Sequence, residues 1–250
     1  MIDAAAEDAF AAFASGFATG TPQLVARELV ADTQTPVSAY LRLASGSRNT
    51  FLLESVEGGE IRGRFSIIGL APDLVWRCRG SVAEINRDPA GNGSFVSDER
   101  APMESLRALM ADSAMTDTGA LPPMAAGLFG YFGYGMIRHI EDIPDANPTV
   151  IDTPDSMLVR PSLIAIFDRL KDSITLVVQV RPTEWNDAAA AWNVAQSRIS
   201  NALNALDAPM PPTEAGGAQA VLPTPQSNIR QEDFLTMVDT AKDHIRAGDI

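Results

Sequence analysis

Apolar residues along this chain keep two spacings, one of three and four and one of two, and the changes between them set the predicted elements. Phe10, Phe13 and Phe17 recur at helical spacing within an alanine-rich stretch, residues 3–17, closed by Gly16 and Gly20. Residues 24–30 read as a short strand. Thr35-Pro36 sets a capping hydroxyl before a proline at the first helical position, which predicts a helix through Tyr40, Leu41 and Leu43 that ends by Gly46. Two apolar runs, 50–56 and 64–69, flank the turn Glu57-Gly58-Gly59-Glu60 and predict a hairpin. Strand continues from Leu74 to Ile85, and residues 86–92 form a surface loop.

Further on, residues 102–114 are helical with Met103, Leu106 and Met110 on one face. Strands over 158–167 and 174–180 are joined by a tight turn at Arg169-Leu170-Lys171-Asp172. Thr183 is expected to cap a long helix whose Trp185, Ala189, Trp192, Ile199, Leu203 and Leu206 form one stripe. Residues 207–229 hold five prolines and two glycines and read as a linker. A last helix over 230–247 sets Phe234, Val238, Ala241 and Ile245 on one side. Strands come in antiparallel runs with helices between the groups, so the expected fold class is α+β, with antiparallel sheets flanked by helices. Ala247-Gly248-Asp249-Ile250 stops a helix and starts a strand, so the sequence is expected to be a fragment of a longer chain.

Composition narrows the function. With 250 residues, 46% of them hydrophobic and 20% charged, the chain can build a core without disulfides or structural metal. No apolar run approaches the ~20 residues that span a bilayer, so no membrane is expected. The first eight residues carry three acids and no lysine or arginine, which does not fit a leader peptide, and the expected location is cytoplasmic. A net charge of −13 with scattered arginines disfavours nucleic acid as a partner. The single cysteine, Cys78, sits in an apolar run and reads as a buried small hydrophobe. His139 and His244 lack metal-ligand spacing and read as helix-surface residues. The aromatic-glycine stretch 127–135 has the wrong order for a nucleotide loop and reads as a place of close backbone packing.

One element suggests chemistry. Leu52-Leu53-Glu54-Ser55 puts a carboxylate and a hydroxyl together at the end of an apolar strand. An amino-acid ligand needs a carboxylate for its ammonium and hydroxyl or N–H donors for its own carboxylate. The plainer alternative pairs Glu54 with Arg62 or Arg64 across the hairpin and leaves Ser55 to support the turn.

The segments 28–41, 51–60 and 63–69, the stretch 126–134, Pro154-Asp155 and the closing Ala247-Gly248-Asp249-Ile250 together resemble, in order, anthranilate synthase component I. The resemblance runs from about residue 22 to the end. The Ala-rich N-terminal helix at 1–21 lies outside it and the Pro-rich stretch 207–229 stands as a linker, while the resemblance implies a regulatory domain at 22–206 and, at 230–250, the truncated start of a chorismate-binding catalytic domain. It also implies conversion of chorismate and ammonia to anthranilate and pyruvate, with Mg²⁺, a glutamine amidotransferase partner subunit and inhibition by tryptophan. Carried over by residue, Glu54 would meet the tryptophan ammonium and Leu53 and Ser55 would line the pocket, with Ser66 on the next strand as a further candidate. The chorismate site, the magnesium ligands and the acid–base groups of the family lie in its C-terminal half. No catalytic or metal-binding residue is therefore assigned here, and these residues alone are expected to be inactive. Aminodeoxychorismate synthase component I and a non-catalytic amino-acid-binding module are the alternatives.

Overall fold

A computed structural model describes residues 4–54, 63–91, 93–115, 118–144, 151–211 and 224–249. Its spine is a pair of long antiparallel strands, β3 (Phe65–Arg79) and β7 (Ser156–Asp168), held in register from Phe65 opposite Asp168 to Cys78 opposite Ser156. Pro72 faces Pro161 in this ladder, and the register shifts just beyond, between Pro72 and Leu74. Neither proline has an N–H to give, so the ladder yields there.

Around the spine, β8 (Ser173–Val180) pairs with β7 and β1 (Gln23–Val30) with β8, while β4 (Val82–Asn86) and β5 (Val96–Ser97) extend the other side. Short strands β2 (Phe51–Glu54) and β6 (Phe129–Phe132) add to β3 and β7. Among the described residues these eight strands form one antiparallel sheet, and with the helices they make the α+β class that the sequence predicts. The turn between β7 and β8 stands where the sequence put it, with Asp172 at φ 47°.

Helices α1 (Ala4–Ala18), α2 (Pro36–Leu43) and α4 (Ala188–Asp207) cover one face. Phe13, Ile68, Leu163, Leu176, Ala195 and Ile199 are among the side chains buried there. The other face carries α3 (Pro102–Ser113) over Leu74, Trp76 and Leu158, and a smaller cluster of Ala125, Ile164, Ile166 and Val177. Two buried guanidiniums tie these layers: Arg160 reaches Asp73 at 2.7 Å, Asp112 at 3.2 Å and Glu184 at 3.2 Å, and Arg181 shares Asp73 at 3.4 Å. The first compact unit ends at Pro211. The second, residues 212–250, contains α5 (Gln231–Ala247), which ends on Gly248 at φ 81° and buries none of its described side chains.

Several expectations need correction. Residues 74–85 are not one strand: the chain reverses at Gly80, whose φ of 53° suits the turn between β3 and β4. Thr183 caps nothing, because Pro182–Glu184 is a short 3₁₀ turn and Asp187 caps α4 by accepting from the Ala190 N–H at 2.7 Å. On α3 the buried face runs through Ser105, Leu106, Leu109 and Ser113, leaving Met110 largely in solvent. The Glu57–Glu60 turn falls outside the described residues.

Candidate functional site

Glu54 is the last described residue of β2, directly opposite Ser66 of β3, and Ser66 in turn lies opposite Phe167 of β7. Residues paired across an antiparallel ladder share a face, so these three side chains stand on the side covered by α2. Leu53, one residue earlier, pairs with Ile67 and therefore sits on the opposite face, 49% exposed. Of the four residues singled out from sequence, Glu54 and Ser66 are brought together and Leu53 is turned away. Ser55 is outside the described residues. Ser66 is fully buried, and its hydroxyl has no hydrogen-bond partner among the described residues.

Beside Glu54 lies a hollow of about 310 Å³, walled by Gln34, Thr35 and Pro36 at the entry of α2, by Phe167, and by Arg169, Asp172 and Ser173 of the β7–β8 turn. The α2 wall is rigid for a local reason. Thr35 accepts from the Ser38 N–H at 3.1 Å while the Ser38 hydroxyl accepts from the Thr35 N–H at 3.0 Å, a reciprocal cap beneath the proline. The opposite wall is fixed by the ladder itself, since the Arg169 N–H donates to the Arg64 carbonyl at 3.0 Å.

The hollow holds charge of both signs. Arg169 donates from Nη2 to Glu54 Oε1 at 3.0 Å, with both side chains partly in water. Arg64, one of the two partners the plainer alternative offered Glu54, forks onto Asp168, with Nε donating to Oδ1 at 2.9 Å. That hydrogen bond holds the Asp168 carboxyl below the usual carboxylate range. Arg62 is outside the described residues. Asp168 is thus fully engaged, whereas Glu54 has a single partner among the described residues, one that solvent can replace. A carboxylate, a guanidinium with donors to spare and the backbone of a helix entry form a receptor for a small zwitterion. Arg169 is 115 positions from Glu54. Only the sheet topology joins them, and no local signal in the sequence points to it.

Cys78 is buried, 3.6 Å from His139 Nε2, and burial together with the charge of Asp155 pushes its thiol up to about 11, away from reactivity at neutral pH. His244 lies exposed beside Asp249 at 2.8 Å. Among the described residues no group of three or more His, Cys, Asp or Glu side chains is placed to hold a metal ion. The Mg²⁺ implied by the resemblance finds no ligand set among the described residues. No helix among the described residues is long and apolar enough to cross a membrane.

Residues 48–250 match the family described as chorismate binding enzyme. Anthranilate synthase component 1 of Cereibacter sphaeroides is 43% identical over 242 residues, covering 96% of this chain and 48% of that protein. The protein of the same name from Thermus thermophilus is 34% identical over 224 residues, covering 90% and 44%. The crystal structure of anthranilate synthase component I from Streptococcus pneumoniae TIGR4 superposes with a TM-score of 0.54 at 25% identity, covering 88% of this chain and 46% of that one. The chain thus spans about half the length of the curated relatives it matches.

Proposed function

Because this chain belongs to the chorismate-binding enzyme family, we propose that it is the N-terminal, tryptophan-sensing part of the large subunit of an anthranilate synthase. In that reading residues 22–206 form a regulatory domain behind the Ala-rich helix of 1–21, residues 207–229 a linker, and residues 230–250 the start of the chorismate-binding catalytic domain. The whole protein would convert chorismate, with ammonia released from glutamine by an amidotransferase subunit, to anthranilate and pyruvate in the cytoplasm, and would use Mg²⁺. The relatives' names support the activity. One observation carries the sensing role: Glu54 lines a hollow of about 310 Å³ between a capped helix entry and a charged turn.

The sensor works by charge and shape. A zwitterionic amino acid sets its ammonium on Glu54, and its side chain lies against Phe167 and the apolar sheet face. Ligand bound there favours the arrangement of the enzyme in which it fits best, and if that arrangement holds chorismate less well, coupling is reciprocal: chorismate weakens tryptophan by the same factor.

The test uses the protein as its own gene encodes it, assayed with chorismate and ammonia by the fluorescence of anthranilate. Tryptophan is expected to inhibit. Glu54→Gln, which keeps size and removes charge, is expected to raise the inhibitory concentration by about tenfold or more with uninhibited turnover preserved. A Ser55→Arg change is expected to abolish inhibition in the same way. Inhibition that persists unchanged in Glu54→Gln sets the sensor elsewhere, and formation of aminodeoxychorismate in place of anthranilate makes this the aminodeoxychorismate enzyme.

A further inference from the structure

The partner that Glu54 already has says how the ligand's other charge is met. Among the described residues Arg169 donates from its side chain to Glu54 through one nitrogen, at 3.0 Å, and that side chain is 46% exposed. A guanidinium has five N–H donors in a planar fork, so most of this one's capacity is unspent. The other described cations nearby do not supply the same function. Lys171 lies on the same turn but is not among the residues that wall the hollow, and Arg64 is spent on Asp168. Among the described residues that wall the hollow Arg169 is the one cation, set against Glu54, Asp168 and Asp172.

We propose that Arg169 is the carboxylate anchor of this site, and that an α-amino acid binds by inserting its head group into the Glu54–Arg169 ion pair. The inference rests on the amino-acid-sensing reading above and extends it to a residue on a different strand pair. The exchange conserves charge at each end. Before binding, one carboxylate faces one guanidinium; afterwards the ligand ammonium faces Glu54 and the ligand carboxylate faces Arg169. Neither member of the pair and neither ligand charge is left without a partner, and what is given up is a solvent-exposed ion pair, which contributes little to stability. The fork of Arg169 matches a carboxylate in a way that a single contact to Glu54 does not use. Because Arg169 sits on the β7–β8 turn and Glu54 at the end of β2, an inserted ligand also bridges two sheet segments whose ladder connection runs through β3.

Calorimetric titration of tryptophan and of tryptamine, which keeps the ring and ammonium but lacks the carboxylate, tests this on the protein as its gene encodes it. Arg169→Ala is expected to weaken tryptophan by about tenfold and leave tryptamine within about twofold, with Arg169→Lys intermediate for tryptophan. Glu54→Gln is expected to weaken both ligands. Arg169 is a surface residue, so thermal midpoints of the variants should stay close to the parent and exclude misfolding as the cause. An Arg169→Ala protein that binds tryptophan as well as the parent overturns the anchor. One that binds both ligands more tightly shows that Arg169 only competes for Glu54, and overturns it equally. If Glu54→Gln loses neither ligand, or the parent binds no tryptophan, the amino-acid site itself is wrong and the anchor falls with it.

Discussion

Single residues in this fold owe their chemistry to what surrounds them more than to what they are. Cys78 and Glu54 make the contrast. Cys78 is walled in and keeps its proton, while Glu54 sits at a strand end with one exposed partner and is free to exchange it. The thiol has a measurable consequence. Its ordinary value is 9.0 in the unfolded chain and about 11 in the folded one, so the unfolded state loses its proton first as pH rises. Stability from this group is complete below pH 9 and declines between 9 and 11. Urea midpoints of the parent and of Cys78→Ala, compared across that range, isolate it because every other titration is common to both. The gap between them is expected to be constant below pH 9 and to narrow toward pH 11; a gap that stays flat contradicts the assigned environment. Ser66 is the counterpart on the polar side, a fully buried hydroxyl with no described partner beneath the hollow, where a hydrogen-bond capacity is held in reserve.

At the scale of elements, the aromatic-glycine stretch shows what a sequence can and cannot tell. Close backbone approach was legible in the glycines. That the stretch pairs as strand β6 was not, because four residues of mixed size carry no period of two. A methyl group on Gly130 would stand 1.9 Å from the Met157 carbonyl oxygen, backbone that cannot move aside. Gly130→Ala is therefore expected to cost about 1–3 kcal/mol in urea denaturation, against less than about 0.5 kcal/mol for Tyr134→Ala on the exposed segment that follows. Equal, small effects would mean that β6 does not lie against β7 as described. The best-read elements were those with two agreeing signals: α2, with a hydroxyl cap and a proline, and the β7–β8 hairpin, with two apolar runs and a polar turn. Where one signal stood alone, reading failed. Thr183 matched a helix cap, but Asp187 four residues on had the geometry, and the β3–β4 reversal rested on a single glycine inside an apolar run.

Across the whole molecule, the sheet does what local sequence does not announce. It carries residue 54 to residue 169 and closes a hollow between them, so half of the site was legible as a carboxylate at a strand end and the other half only as topology. The net charge of −13 leaves cations scarce, which makes an arginine facing that carboxylate more telling than it would be on a basic surface. The most direct measurement is a crystal structure of the protein as its gene encodes it, grown with saturating tryptophan. The account predicts the ligand in the hollow beside Thr35 and Phe167, its ammonium within hydrogen-bond distance of the Glu54 carboxylate and its carboxylate on Arg169, with the ion pair between those two opened. Tryptophan bound at another place, with Glu54 and Arg169 still joined, would contradict it.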